Sequence, residues 1–160
     1  MFLAENLLKS LKKHINLALF NKMRFEDSKY SKLYKHKKIE FPFGQFYLLD
    51  KAVISELNEG EHFDWDKILK VVETLLDYYG MDIKIGYISN RVYSYSIQPE
   101  LWIDFQRQFD FIVATAVVSY TDYSYMTASL EKHFSKNSIK RCETLEEAIA
   151  WVENLREFKN

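Results

Sequence analysis

Leu3, Leu7, Leu8, Leu11, Ile15 and Leu19 recur at helical spacing, while Lys9, Lys12, Lys13 and Asn16 lie off that stripe. The pattern predicts an amphipathic helix over residues 3–19. Residues 21–37 interleave Tyr and Lys without a clear period, and a boundary near residue 37 follows. Residues 39–49 alternate loosely around Pro42 and Gly44. Proline cannot donate to a ladder, so this is an edge strand or a strand with a turn at Phe43 and Gly44.

Ala52–Leu57 (AVISEL) reads as a strand. The clearest helix follows: Asp64 is a good N-cap, and Phe63 before it can staple to Ile68. Trp65, Ile68, Leu69, Val72, Leu75, Leu76 and Tyr79 keep the 3.6-residue period until Gly80 closes it. Residues 83–89 read as a strand, and 90–98 as a loop rich in Tyr and Ser. Pro99 suits the first turn of a helix with Leu101, Trp102, Phe105 and Phe109 on its apolar face. Residues 111–120 are almost continuously apolar, which predicts a central strand covered on both faces. Asp122 then caps a helix to about Ser135, with Met126, Leu130 and Phe134 inward. Residues 138–142 form a short strand. Thr144 and Glu147 have capping-box spacing before a last stripe of Leu145, Ala148, Ile149, Val152 and Leu155. The order after residue 38 is β-β-α-β-α-β-α-β-α. It predicts an α/β fold whose mostly parallel sheet opens with an antiparallel strand.

Charge divides the chain more sharply than hydropathy does. Residues 1–40 hold ten Lys/Arg and four acids, a balance of +6, against −7 for the rest. A basic arm over 1–37 and an α/β domain over 38–160 are therefore expected. The arm has three available destinations: its own body, a neighbouring copy, or an anionic surface. Met23 is a second candidate start site. The net charge of −1 gives no pull toward nucleic acid, and a single Cys excludes a disulfide framework and a Cys-based zinc site. No stretch is long and apolar enough to span a bilayer, and the N-terminus lacks a secretory cleavage pattern, so a cytoplasmic location is expected.

The stretches AVISELNEGEHFDWDKI, GYISNRVYSYSIQPELW, AVVSY, SLEKHF and TLEEAIAWV, in this order of elements, resemble a largely uncharacterised bacterial branch of the STAS-like (SpoIIAA-like) family. The resemblance covers roughly residues 38–158. It implies a mixed, mostly parallel sheet with an antiparallel opening hairpin and about four helices. The broader fold also looks like the lipid-carrying lobe of CRAL-TRIO proteins. STAS antagonists are switched by phosphorylation of a Ser in an Asp-Ser-x-Gly-like setting. The matching region here, residues 89–96, has hydroxyls but no such motif. The resemblance makes Ser94 and Ser96 the candidate phosphosites, with Ser89 behind them.

In open α/β sheets, ligands bind beyond the carboxyl ends of the strands. That rule selects Ser89, Asn90, Arg91, Tyr93, Ser94 and Ser96 after one strand and Tyr120 and Asp122 after the next, within the hydroxyl-rich run 119–125. Arg91 could pair with a phosphate or carboxylate, oriented by Asn90; the alternative is a turn with surface tyrosines. Glu56, Glu59, Glu61 and His62, with Asp64 and Asp66, could do acid/base or metal chemistry. The simpler reading is a capped helix start with solvated neighbours. His133 and Cys142 read as structural. No G-x-S-x-G, P-loop or G-x-G-x-x-G occurs. The expectation is a non-enzymatic interaction or regulatory module without cofactor or metal, working through its strand-end loops with a protein partner. The rival is a carrier of a small apolar or lipid-like ligand, which requires an internal cavity lined by residues such as Trp65, Trp102 and Phe105. A homodimer through the arm or the edge strand, and a membrane surface met by the arm, complete the partners considered.

Overall fold

The computed structural model describes residues 1–159, the side chains of residues 14–21 excepted. The first helix, α1 (Phe2–Asn21), matches the predicted one; Ile15 and Leu19 of its stripe lie outside the described side chains. A 3-10 turn at Phe25–Asp27 and a single helical turn, α2 (Tyr30–Leu33), follow. Then come β1 (Lys37–Phe41), β2 (Gly44–Leu48) and β3 (Ala52–Leu57). The alternation continues with α3 (Trp65–Tyr79), β4 (Ile85–Arg91), α4 (Leu101–Gln108), β5 (Ile112–Ser119), α5 (Asp122–Phe134), β6 (Ile139–Cys142) and α6 (Leu145–Glu153). All six strands form one sheet in chain order. β1, β2 and β3 pair antiparallel, and β3 through β6 pair parallel. Pro42 and Phe43 form the turn that splits residues 39–49 into two strands, which adds one strand to the predicted order.

The alternation of side chains along each strand divides the core into two faces. Phe46, Leu48, Val53, Leu57, Ile85 and Ile112 point to one face, where Ile68, Val71, Val72 and Leu75 of α3 cover them. Tyr47, Ile54, Ile88, Ala116 and Val118 point to the other, against Leu145, Ala148, Ile149 and Val152 of α6. Gly86 lets α6 lie close: a Cβ there would meet Val152 Cγ1 at 2.5 Å. Asp64 accepts from the Lys67 N–H (3.0 Å), and Gly80 ends α3 at φ 93°, a backbone that favours glycine.

Three local expectations are corrected. Thr121, not Asp122, caps α5, accepting from the Ser124 N–H at 3.1 Å. Met126 and Leu130 are exposed (66% and 53%), because the inward face of α5 carries Ser124, Ala128 and Glu131. Small residues let α5 approach the sheet, and the buried acid has a partner there. Thr144 caps α6 as expected, but the Glu147 carboxylate accepts from the Glu143 N–H (3.0 Å) rather than from that of Thr144.

The segment before β1 also differs from its unpatterned sequence. Phe25 is fully buried on the α6 face, 4.7 Å from the Tyr47 ring and edge-on to His36 at 4.9 Å. Tyr34 bonds to Glu153 of α6, and Lys38 pairs with Glu26. The packed body therefore begins near Met23, ahead of the boundary at residue 37, whereas residues 1–13 are all exposed.

Candidate functional site

Two buried polar networks lie at the carboxyl end of β4, one on each face of the sheet. The sequence predicts a strand over residues 83–89 followed by a loop. β4 instead runs from Ile85 to Arg91, pairing Asn90 with Val118 and Arg91 with Ser119 of β5. The strand period then sends Asn90 one way and Ser89 and Arg91 the other. All three are buried, and Asn90 and Arg91 are strand residues where a loop was expected.

On the α6 face, Glu56 accepts from the Phe25 N–H (2.8 Å) and from Asn90 Nδ2 (2.6 Å). Asn90 Nδ2 also donates to the Met23 carbonyl (2.9 Å), and Tyr120 donates its hydroxyl to Asn90 Oδ1 (2.7 Å). Burial raises the Glu56 carboxyl above its ordinary range, against the two donors that favour its ionised form. Burial likewise raises Tyr120. The network is a clamp that holds residues 23–25 on the sheet.

On the α3 face, Arg91 pairs with Glu131 of α5 through two contacts, 2.7 and 2.8 Å. Its Nε donates to Ser89 Oγ (3.1 Å), which shares a hydrogen bond with the Tyr95 hydroxyl (2.9 Å). The Tyr95 ring lies 5.0 Å from the guanidinium, and Trp102 Nε1 donates to Glu131 Oε1 (3.2 Å). Burial opposes the Arg91 charge, but its partners Tyr95 and Glu131 raise it overall and keep it cationic. Beside this pair is a cavity of about 70 Å³ between the sheet and helices α3 and α4. Val53, Val72, Phe63, Tyr95, Trp102 and Phe105 are among its walls, and Arg91 with Glu131 forms its charged end. Trp65, expected in such a lining, instead stacks on Phe109 outside it.

The rim is built by two stapled loops. Gly60 N–H donates to the Ser94 carbonyl (2.8 Å), Ser96 N–H to Glu61 (2.9 Å), and Phe63 N–H to Ser96 (2.8 Å). His62 Nδ1 lies 2.8 Å from Ser96 Oγ, and Glu59 accepts from the Ser94 N–H at 2.8 Å. Loop 93–96 is thus tied to loop 58–63, and Phe63, Tyr95 and Ile97 reach from them into the cavity.

The structure brings Ser89, Arg91 and Tyr95 together, and separately Asn90 and Tyr120. Tyr93 and Ser96 are exposed at the rim, Ser94 is half-buried there, and Asp122 is exposed at the start of α5. The carboxylates of 56–66 do not converge. Glu56 is in the clamp, Glu59 holds a loop, Glu61 pairs with Lys67 (3.3 Å) and Asp64 caps α3. A phosphoryl group on Ser94 would meet the Glu59 carboxylate, an unfavourable neighbour. Sequence reasoning missed Glu131, which the apolar pattern places off the inward face of α5. Of the cavity's walls it named Trp102 and Phe105; the others come from segments far apart in the chain.

No family model matches the chain, and no curated protein matches it. Among solved structures, the chain is similar to an uncharacterised protein from the DUF3478 family with a SpoIIAA-like fold, from Shewanella loihica PV-4. The identity is 10%, covering 74% of this chain and 92% of that one, with a TM-score of 0.47.

Proposed function

We propose that this protein is a non-enzymatic binding domain that takes a small apolar ligand, or the apolar end of a larger one, into the cavity between the sheet and α3/α4. The observation that carries this reading is the cavity itself, walled by aromatic and aliphatic side chains of the sheet (Phe46, Val53, Ile112) and of α3 and α4. Apolar cavities stay dry and accept apolar guests, since a void forfeits the dispersion contacts a guest restores. A volume of about 70 Å³ suits a small group. A lipid chain requires the stapled rim loops to open. The non-enzymatic part of the reading rests on the titratable groups at the walls. Arg91 and Glu131 are committed to each other, and burial raises the Tyr87 and Tyr95 hydroxyls, which keeps both phenols protonated.

The test is a methyl-resolved NMR titration with benzene and indole. Shifts centred on Val53, Val72 and Ile112, abolished by the cavity-filling variant Val72→Phe, support the proposal. Absent or scattered shifts contradict it. A second reading, as a protein-interaction module, is favoured by the exposed Tyr123, Tyr125, Met126 and Leu130 of α5. Met126→Lys with Leu130→Lys separates the two readings: it leaves cavity binding unchanged and abolishes association that runs through α5.

A further inference from the structure

α1 is a 20-residue helix, about 30 Å long, whose described side chains stay off the body. Leu3, Leu7, Leu8 and Leu11 are exposed at 85%, 63%, 55% and 50%, and Phe2 at the tip at 78%. The four leucines form one apolar strip. Lys9, Lys12 and Lys13 lie off that strip, and Glu5 is the single acid in residues 1–21. The body from Met23 onward carries the opposite charge, −4, yet residues 1–13 remain exposed. The helix stops abruptly: Lys22 is extended (φ −70°, ψ 111°), and the next residue, Met23, is held by the Asn90 clamp.

We propose that α1 is an in-plane anchor for an anionic lipid surface. A helix with leucines on one face and lysines on the other lies in the headgroup region, its apolar side toward the acyl chains and its cations on the polar side that meets anionic headgroups. Among the described residues no helix is long and apolar enough to cross a membrane, so α1 lies on the bilayer rather than through it. Charge favours this occupant over a second copy. A second copy brings a helix of the same sign, three Lys against one Glu5, where an anionic surface brings the opposite sign. An anionic surface neutralises all three. This inference is independent of the cavity.

The experiment is co-sedimentation of the full chain with vesicles of pure phosphatidylcholine, and of three parts phosphatidylcholine to one part phosphatidylserine. The chain should pellet with the serine-containing vesicles and be released by salt. Leu7→Gln with Leu11→Gln should abolish the binding. Lys9→Gln, Lys12→Gln and Lys13→Gln together should weaken it about a hundredfold. Both variants should keep the parent's urea midpoint, since these residues are exposed. No pelleting with anionic vesicles overturns the proposal, as does pelleting that the leucine variant leaves intact. A dimer that dissociates in the leucine variant, with no vesicle binding, also overturns it and assigns the strip to a second copy.

Discussion

The two networks at the end of β4 are built from neighbouring residues and differ in what closes them. On the α6 face, Glu56, Asn90 and Tyr120 are closed by the chain itself, through the Phe25 N–H and the Met23 carbonyl. On the α3 face, Arg91 and Glu131 pair with each other, with Ser89 and Trp102 as further partners, and the space beside them is lined mostly by apolar side chains. A buried polar group needs its partners wherever they come from. The first network obtains them from an arm segment and is structural. The second is self-contained, which leaves the adjacent space for a guest. Polar residues at a strand end are therefore poor evidence of a site by themselves, and the neighbouring void discriminates better.

The largest break in this comparison is Glu131→Ala. It leaves Arg91 buried without its counter-charge and should cost about 3–5 kcal/mol in urea unfolding. Pairing it with Arg91→Met should recover most of that loss, because a matched apolar pair replaces an ion pair at little cost. Glu56→Ala comes next. It strips acceptors from the Phe25 N–H and the Asn90 amide, at about 1–3 kcal/mol for each donor left unpaired. Hydrogen exchange should show the difference in kind: fast exchange at Phe25 in Glu56→Ala, and retained protection there in the Glu131 double variant. Gly86→Ala is a control on the α6 face. Its Cβ presses on Val152, and the overpacking should cost about 1–3 kcal/mol without altering cavity binding.

The smallest effect is a pH dependence confined to one face. Burial raises the folded-state pKa of Glu56 above its ordinary 4.5, so the folded chain holds this proton more tightly than the unfolded one. Its stabilising contribution is complete below the unfolded value and declines as pH rises through the folded one. Relative to Glu56→Gln, the parent should therefore lose stability from about pH 4.5 upward and then level off. Urea midpoints of the two proteins across this range measure the difference. A difference that does not change with pH would remove Glu56 from the account.

Most of the sheet and its helices were legible because their apolar periods are undisturbed. Ala52–Leu57 and the helix from Asp64 to Gly80 fall where their pattern puts them. The errors cluster where tertiary partners override local pattern. Polar Asn90 and Arg91 read as loop because the residues that satisfy them, Glu56 and Glu131, are 34 and 40 positions away. Met126 and Leu130 read as core because apolar spacing was the available signal, and Glu131 took the inward position. Phe25 read as part of an arm because one aromatic gives no period. Of the candidate residues at the predicted sheet edge, Ser89, Asn90 and Arg91 are buried and Tyr120 is half-buried. The alternation rule, applied one strand turn further, would have divided them between the faces.

The central claim, that the space beside the Arg91–Glu131 pair holds an apolar guest and the Glu56 clamp does not, is tested most directly by a crystal structure under xenon pressure. The account predicts one ordered xenon between Val72, Tyr95 and Phe105, beside the Arg91–Glu131 pair, and none near Glu56 and Asn90. A closed α3 face with no xenon there would contradict it, as would xenon bound at the Glu56 clamp.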